Sequence, residues 1–267
     1  MLISVIVPFY NSEQWLGRCL ASLTMQAGDF EFLIVDDHST DKSIEVAYEY
    51  CNHDSRSRLL TNNSGKGVSG ARNTGIDCAS GTWVTFLDAD DEMLANAHLT
   101  FRRIIERDSR ANIHQLNHMR YYTAIDKLVL KYANYGGVYG FGKLPDMWFG
   151  VWNKLYRADF IKDIRFDEDL QYGEDGLFNI MCLIKDNYIH HAQLDEVAVK
   201  HRFDNKESLS HIKTADDIFK YIKKYEEVYE GLTAFYEDEA VDVMRKELCG
   251  IIGDLWSVRM VKTICNT

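Results

Sequence analysis

The sequence predicts an α/β protein with a mostly parallel central sheet and helices on both faces. Short apolar runs alternate with amphipathic helical segments through the first 110 residues, at spacings typical of βαβ units. The first run, residues 2–10, is almost wholly apolar and rich in β-branched residues, as expected of a strand buried on both faces. Polar or acidic clusters follow three of the runs. Ligands bind beyond the carboxyl ends of strands in such sheets, so these clusters should meet in one crevice.

Each element is predicted from its own pattern: apolar or β-branched clusters for strands, and apolar residues three or four apart for helices. Pro8 should end the first strand, Asn11 or Ser12 should cap the first helix, and Ser39 or Thr40 the second. In chain order, strands are predicted at 2–10, 30–37, 57–62, 82–87 and 196–203, and helices at 11–26, 39–51, within 65–81 after a glycine-rich loop, 94–107 and 173–185. The apolar faces of the first, second and fourth helices are predicted to be Leu16, Cys19, Leu20 and Leu23; Ile44, Ala47, Tyr48 and Cys51; and Leu94, His98, Phe101 and Ile105.

The pattern is more mixed beyond residue 110. Segments 113–122 and 127–141 predict strands and a hairpin, and the aromatic-rich segment 147–161 is mixed. From residue 214 onward, the pattern predicts two long amphipathic helices, with Trp256 and Met260 beside basic residues. Such helices dock on the parent domain, pair with a second subunit or lie on a membrane surface.

Composition limits the class of protein. A length of 267 residues suits one large α/β domain with or without a small appendage, and a formal net charge of −11 argues against a nucleic-acid partner. The N-terminal apolar stretch is too short for a signal sequence, and no run approaches the length of a membrane span. The cysteines lack CxxC spacing and predict reduced core residues of a cytosolic protein: Cys19, Cys51, Cys78, Cys182, Cys249 and Cys265.

An acidic cluster, Asp88 to Glu92, follows the apolar run 83–87. Residues two apart in a strand point to the same face, so Asp88 and Asp90 can present two carboxylates to one ion if the strand continues through them. A pair of oxygen ligands suits Mg²⁺ or Mn²⁺, which then shares its remaining positions with phosphates and water. The alternative is a solvated acidic turn that caps a helix starting near Met93. The same spacing recurs at Asp167-Glu168-Asp169, where metal binding is much less favoured.

Other motifs also have two interpretations each. Asp36-Asp37 can bind a base or ribose, or cap a helix. The glycines around Lys66 and Arg72 suit a phosphate or ribose loop, although the spacing is not that of a Walker A loop, and no GxGxxG follows the first strand. Glu174-Asp175 can supply a general base or interact with a helix dipole. His201-Arg202 can reach phosphate or metal, or be structural. The aromatic cluster around Trp152 suits a core or a platform for a sugar ring.

The order of these motifs resembles that of the family 2 glycosyltransferases. The resemblance is carried by SVIVPFYNSEQWLGRCLASL, FEFLIVDDHSTDKS, GVSGARNTGIDCASGTWVTFLDADD, WNKLYR and GEDGLF. It covers about residues 1–210 and is densest through residue 92. It implies a GT-A fold, with residues 1–110 as the half that binds the nucleotide sugar, 111–212 as the acceptor-binding half of the same domain, and 213–267 as a helical extension.

The resemblance also implies roles for individual residues. Asp175 would be the catalytic base, with Glu174 beside it. Asp90 would be the direct metal ligand, and Asp88 would contact ribose or, through water, the metal. His201, which stands where many members have tyrosine, would be a further metal ligand. The implied nucleotide-sugar site comprises Pro8, Phe9, Tyr10, Asn11, Asp36, Asp37, Lys66, Arg72, Asp88, Ala89, Asp90 and Arg202, and the implied acceptor site Trp152, Asn153 and Lys154.

The implied activity is inverting transfer of a hexosyl or N-acetylhexosaminyl group from a UDP-linked sugar to a glycan or lipid-linked acceptor in surface polysaccharide synthesis. Mn²⁺ or Mg²⁺ would be the cofactor, and the enzyme would be cytoplasmic or at the inner face of the membrane, where the C-terminal helices could mediate peripheral membrane contact or a homodimer. Two alternatives stay open. One is a haloacid-dehalogenase-like phosphatase, in which Asp88 would be the nucleophile, and the other is a non-catalytic module that binds nucleotide sugars.

Overall fold

A computed structural model describes residues 2–122, 127–131, 138–139, 150–170, 173–186, 189–191, 197–202 and 223–224. The helices are α1 (Leu16–Thr24), α2 (Ser43–His53), α3 (Val68–Cys78), α4 (Ala97–Arg107), α5 (Ala158–Ile161) and α6 (Glu174–Lys185). The strands are β1 (Ile3–Phe9), β2 (Phe30–Asp36), β3 (Ser57–Thr61), β4 (Trp83–Phe86), β5 (Glu92–Met93), β6 (Ile113–Gln115), β7 (Asn117–Tyr122), β8 (Lys127–Lys131), β9 (Val138–Tyr139), β10 (Lys154–Arg157), β11 (Ile189–His191) and β12 (Val197–Arg202).

The main sheet has the strand order β3-β2-β1-β4-β10-β6-β11-β9. Its first four strands are parallel, as predicted, and β10 runs antiparallel to both of its neighbours, β4 and β6. Every residue of β1 and β2 is buried, which explains why their sequences lack the alternation of a half-exposed strand. The sequence therefore predicted the parallel half of the sheet correctly.

A second sheet has the order β5-β12-β7-β8. The predicted hairpin is β7–β8, which is antiparallel, whereas β9 joins the main sheet beside β11. The expectation of a helix starting near Met93 was wrong, because Glu92 and Met93 pair with β12 and α4 begins only at Ala97. The pairing of β5 with β12 brings the acidic cluster next to His201 and Arg202.

The core lies on both faces of the main sheet. Because side chains alternate along a strand, Ile6 packs on one face with Ala71 and Ile76 of α3. Val5 and Val7 pack on the other face with residues of α1 and α4. The predicted buried stripe of α1, residues 16, 19, 20 and 23, is confirmed.

Several local predictions were wrong. Pro8 lies inside β1 and does not end it. Backbone groups of residues two apart in a strand point toward the same neighbouring strand, so those of Pro8, like those of Ile6, point toward β4. Because β4 ends before it reaches Pro8, the missing N–H of Pro8 leaves no hydrogen bond of the sheet unmade. Helices α1 and α2 also start later than predicted, at Leu16 and Ser43. The residues predicted to cap them therefore do not occupy the position directly before either helix.

The predicted face of α2 was right at Ala47 and Cys51 and wrong at Ile44 and Tyr48. Ile44 and Tyr48 are 41% and 63% exposed, whereas Ser43 and Ala47 are buried. Val46, Tyr50 and Cys51 pack against the same core cluster as Ala47. The buried stripe of α2 is therefore rotated by about one residue from the predicted one.

The described residues bear on two further predictions. The cysteines among them, Cys19, Cys51, Cys78 and Cys182, are free thiols. In the part of the chain that the structure describes, no helix is both long and apolar enough to cross a membrane. The helices predicted from residue 214 onward lie outside the described residues, apart from residues 223–224.

The close packing of α3 on β1 gives a first testable prediction. A methyl group added at Gly75 would lie 2.4 Å from Cγ2 of Ile6, so Gly75→Ala should lower the free energy of unfolding by about 1–3 kcal/mol. Gly17, on α1, is the matched control, since its added methyl group would only touch Val46 at 4.0 Å. Gly17→Ala should be neutral or stabilise by about 0.4–1 kcal/mol. Urea denaturation of both variants checks this, and equal effects would contradict the packing argument.

Glu31 connects β2 to the loop that enters β4. Its carboxylate accepts hydrogen bonds from the Ser4 hydroxyl at 2.5 Å, from the Gly81 N–H at 2.9 Å, and from the Ser80 N–H and hydroxyl at 2.5 and 2.9 Å. Burial raises the pKa of Glu31, but these hydrogen bonds outweigh burial and lower it. The ionised form is therefore the one that the fold stabilises.

This lowered pKa predicts a pH-dependent stability. Glu31→Gln should cost about 1–3 kcal/mol at neutral pH, because the amide leaves buried donors unpaired. The carboxylate stabilises the fold above its unfolded pKa of about 4.3, and this contribution is lost as the pH falls through the folded pKa. The difference in unfolding free energy between wild type and variant should therefore shrink between about pH 6 and pH 3. Exposed Glu45→Gln is the control; a difference that stays constant with pH would refute the assignment.

Candidate active site

Polar residues lie beyond the carboxyl ends of β1, β2 and β4. Tyr10 and Asn11 follow β1, and Asp37 follows β2. The two chain segments are adjacent, since the Asp37 N–H donates to the carbonyl of Phe9 at 2.9 Å. Asp36 is buried and accepts a hydrogen bond from the Ser39 N–H at 3.0 Å, so its carboxylate holds the turn before α2.

The remaining residues of this edge differ in exposure. Tyr10 is 56% exposed, whereas Pro8, Phe9 and Ala89 are buried. Asn11, with a φ of 45°, accepts hydrogen bonds at its side-chain oxygen from the N–H groups of Thr40 and Asp41, at 2.8 and 3.3 Å. Their contact with a nucleotide stays a prediction.

Asp37 holds a loop that we call the glycine loop, residues 62–67. One carboxylate oxygen accepts from the Asn62 side-chain amide at 2.6 Å, and the other from the Gly67 N–H at 2.9 Å. Gly67 has a φ of 93°, a conformation that favours glycine. A side chain at Gly70 would meet the Gly65 carbonyl at 1.8 Å, so this position also requires glycine. Lys66 is exposed at the tip of the loop.

Arg72 connects the predicted metal motif with the predicted catalytic pair. Its guanidinium is 3% exposed and donates to Asp88 at 3.1 Å, to Glu174 at 3.0 Å and to Asp175 at 2.6 Å. The carboxylates come from β4's end and from the first turn of α6, which are about 85 residues apart along the chain. Burial alone would lower the pKa of Arg72, but the three carboxylates outweigh it and raise it.

Asp175 is placed to exchange a proton near neutral pH. Burial raises its pKa to about 8; Arg72 opposes the rise, and Glu174 and Asp88 add to it. The backbone N–H of Val151 approaches its second oxygen at 3.4 Å. A carboxylate whose pKa is close to the working pH is suited to general base catalysis.

Asp91, for which the sequence predicted no separate role, holds two of the predicted site residues, His201 and Arg202. It is 1% exposed and accepts hydrogen bonds from the His201 ring at 2.9 Å and from the Arg202 N–H at 2.8 Å. The His201 ring stacks on Trp152 with 4.2 Å between ring centroids. Burial would lower the pKa of His201, but Asp91 outweighs it and raises it.

Arg202 is also buried beside the acidic cluster. Its guanidinium lies 4.2 Å from the centre of the Trp15 ring and donates weakly to the Asp90 carbonyl at 3.4 Å. The contact with Trp15 follows from the pairing of β12 with β5, and the sequence contains no signal for it. Arg202 therefore lies next to the backbone of the predicted metal motif.

The donor set fits a cation that is completed by phosphates. The strand does not continue through the acidic cluster as the metal prediction required: β4 ends at Phe86, and Asp88 and Asp90 lie, partly exposed, in the loop between β4 and β5. Mg²⁺ and Mn²⁺ are commonly held by one or two carboxylates together with substrate phosphates and water. Within the described residues, no three or more histidine, cysteine, aspartate or glutamate side chains form a ready-made ligand set. The predicted trio of Asp88, Asp90 and His201 is thus not assembled in this structure, and ligation by His201 stays a prediction.

The predicted acceptor residues form a buried turn beside Asp175. Trp152, Asn153 and Lys154 are 7%, 1% and 0% exposed. The ammonium of Lys154 donates to the Gly150 carbonyl at 2.5 Å and to the Asn153 side chain at 3.1 Å. Burial lowers the pKa of Lys154 to about 7, against the opposing charge of Asp175. These contacts are made within the protein, as expected of residues that hold the site in place. Contact of these residues with an acceptor stays a prediction.

Comparisons with known proteins identify the class to which this fold belongs. The structure is similar to the crystal structure of S. aureus TarS 1–349 in complex with UDP-GlcNAc, with a TM-score of 0.76 over 93% of this chain and 71% of that chain. Sequence identity to TarS is 23%. The similarity shows the predicted GT-A fold.

The sequence comparisons identify the family. Residues 4–123 match the family described as Glycosyl transferase family 2. Over 258 residues the chain is 30% identical to the uncharacterized glycosyltransferase EpsJ of Bacillus subtilis (strain 168), a match that covers 88% of this chain and 70% of EpsJ. The chain belongs to glycosyl transferase family 2, as its motifs indicated.

A second relative has a named reaction. Over 96 residues the chain is 42% identical to the UDP-Glc:alpha-D-GlcNAc-diphosphoundecaprenol beta-1,3-glucosyltransferase WfgD of Escherichia coli. This match covers 36% of this chain and 37% of WfgD, so the chain matches little more than a third of that relative's length. The family assignment makes this chain a glycosyltransferase and argues against the phosphatase alternative.

Proposed function

We propose that this chain transfers a hexosyl or N-acetylhexosaminyl group from a UDP-linked sugar, with inversion, to a glycan or lipid-linked acceptor in surface polysaccharide synthesis. The observation that carries the proposal is the contact of Arg72 with both Asp88 and Asp175, which draws the donor motif and the base into one cluster. The UDP-GlcNAc bound to TarS and the UDP-glucose in the name of WfgD support UDP as the nucleotide.

The donor would bind across the ends of β1, β2 and β4. Asp37 would accept a hydrogen bond from the uracil imide, and the segment from Pro8 to Asn11 would lie under the base. Lys66 and Arg202 would face the negatively charged phosphates, which offset the cost of placing cations there. Asp90, together with Asp88, would hold Mn²⁺ or Mg²⁺. When bound, such a cation neutralises charge that develops on the departing diphosphate.

Asp175 would act as the base of a single displacement. It removes the proton from an acceptor hydroxyl while that oxygen attacks the anomeric carbon from the face opposite the diphosphate. The bond from the anomeric carbon to the phosphate oxygen breaks as the new bond forms, so the configuration inverts. The positive charge that builds up on the sugar ring is stabilised by the carboxylates around Arg72 more strongly in the transition state than in the ground state.

The site is proposed to work on the cytoplasmic side of a membrane, where a lipid-linked acceptor is available. The experiment that tests the function is a screen of nucleotide sugars for hydrolysis in the presence of Mn²⁺, followed by transfer from the best donor to candidate glycans and lipid-linked acceptors. Release of UDP from one donor and a product of inverted configuration are expected. Binding of UDP without hydrolysis or transfer would instead identify a non-catalytic module.

A further inference from the structure

We infer that Glu168 is a positioning residue, which sets the affinity for the nucleotide by fixing the glycine loop in place. The inference rests on the proposed function, since it assumes that this loop borders the bound nucleotide. Glu168 belongs to the Asp167-Glu168-Asp169 segment, whose spacing resembles that of Asp88 and Asp90. Glu168, the middle residue of this segment, is the one that contacts the glycine loop.

The Glu168 carboxylate is bound by three donors from a segment about 100 residues earlier. The Ser64 hydroxyl donates to one oxygen, and the Gly65 N–H donates to the other at 2.8 Å. The Asn73 side-chain amide, from α3, donates to the first oxygen at 2.9 Å. Asn73 also exchanges hydrogen bonds with the backbone of Phe166 at 2.9 and 3.0 Å, so the two segments are joined at two points.

The glycine loop is therefore held between two carboxylates. Asp37 binds Asn62 and Gly67 at the two ends of the loop, and Glu168 binds its middle. The contact at the middle is close, because a methyl group added at Gly65 would lie 2.1 Å from the Glu168 carboxylate. Directly after the loop, α3 carries Arg72, which binds Asp88 and Asp175. A shift of the loop would therefore move groups on both sides of the nucleotide.

The chemistry of these contacts requires a carboxylate. All three partners donate, and an ionised carboxylate accepts at both oxygens, whereas an amide has only one accepting oxygen. Hydrogen bonds from Ser64 and Asn73, with a further one from Gly65, outweigh burial and lower the pKa of Glu168, so it is ionised at neutral pH. A loop that is already ordered before the ligand arrives binds it more tightly, because less conformational freedom is lost on binding.

The test compares Glu168→Gln with Asp169→Asn, a change in the same turn at a side chain that is 84% exposed. Calorimetry with UDP and Mn²⁺ should give a dissociation constant about tenfold higher for Glu168→Gln and nearly unchanged for Asp169→Asn. Hydrolysis of the best UDP-sugar should show a raised KM with kcat within about twofold of wild type, since the base is untouched. Ser64→Ala removes one of the three donors at an exposed position and should raise the dissociation constant for UDP by about threefold. This second variant keeps the inference testable if Glu168→Gln fails to fold.

A double-mutant cycle tests whether the loop and Glu168 act together. Gly65→Ala should weaken UDP, because the added methyl group meets the carboxylate. In the Glu168→Ala background this clash is gone, so adding Gly65→Ala should have little further effect. The inference about Glu168 would be overturned, with the proposed function intact, by either of two results. One is that the effects of Gly65→Ala and Glu168→Ala on UDP affinity multiply in the double variant, and the other is that Glu168→Gln and Ser64→Ala leave UDP affinity unaltered. Wild-type protein that does not bind UDP would overturn the proposed function together with it.

Discussion

Asp175→Asn should lower kcat for sugar transfer by about 10²–10⁴-fold and leave the affinity for UDP nearly unchanged. Asparagine has the shape of aspartate and keeps one oxygen for the hydrogen bond that Arg72 makes at 2.6 Å. It cannot take a proton from the acceptor hydroxyl, so only the chemical step is affected. Steady-state transfer and calorimetry with UDP measure the two quantities separately.

The pH dependence of transfer provides a second readout for Asp175. Because burial raises its pKa to about 8, the fraction of ionised base increases as the pH rises through this value. The wild-type kcat should therefore rise with pH over this range, and the residual rate of the variant should not. Glu174→Gln is the matched control, since Glu174 also contacts Arg72, at 3.0 Å, and should cost less. A variant with full rate at every pH would show that Asp175 is not the base.

Asp90→Ala should abolish the gain in UDP affinity that Mn²⁺ provides. With the ligand removed, the dissociation constant in Mn²⁺ should rise by about a hundredfold, or about 3 kcal/mol, toward its value in EDTA. The reason is electrostatic: without the cation, the diphosphate would face the carboxylates of Asp88, Glu174 and Asp175 with Arg72 already engaged by all three.

Calorimetry with UDP in Mn²⁺, in Mg²⁺ and in EDTA measures this effect. Asp169→Ala serves as control for the loss of one surface carboxylate, and its metal dependence should equal that of wild type. If Asp90→Ala binds UDP as tightly as wild type in Mn²⁺, and its affinity for UDP still falls in EDTA, then another group holds the cation. Both variants should unfold at temperatures close to that of wild type, since Asp90 is partly exposed in the loop between β4 and β5.

The features that the sequence predicted well depend on local hydrophobicity. β1, β2 and α1 are long apolar or periodic segments, and burial on both faces of the sheet leaves a clear signal in them. The acidic cluster after β4 was recognisable because the apolar run ends just before it. Family motifs added the expected roles of Asp88, Asp90 and Asp175, which hydrophobic periodicity alone does not reveal.

The features that were missed depend on contacts between distant segments. The buried stripe of α2 was predicted one residue away from its position, because Ile44 and Tyr48 are apolar or aromatic yet face solvent. The strands β5 and β11 are two and three residues long, too short to show a period. The partners of Arg72 and Glu168 lie up to 104 residues away along the chain, so only the fold brings these charges together.

The antiparallel strand β10 affects how chimeras with relatives can be made. Tyr156 lies opposite Val84 of β4 and Ile113 of β6, and its ring packs on Phe86 and Phe178. With a recombination point near residue 110, β4 and its pairing partner β10 would thus come from different parents. Exchange of acceptor preference should instead keep all strands of the main sheet, β9, β10 and β11 included, from a single parent and vary segments outside that sheet. Hybrid proteins built in this way would retain an unbroken ladder across the main sheet.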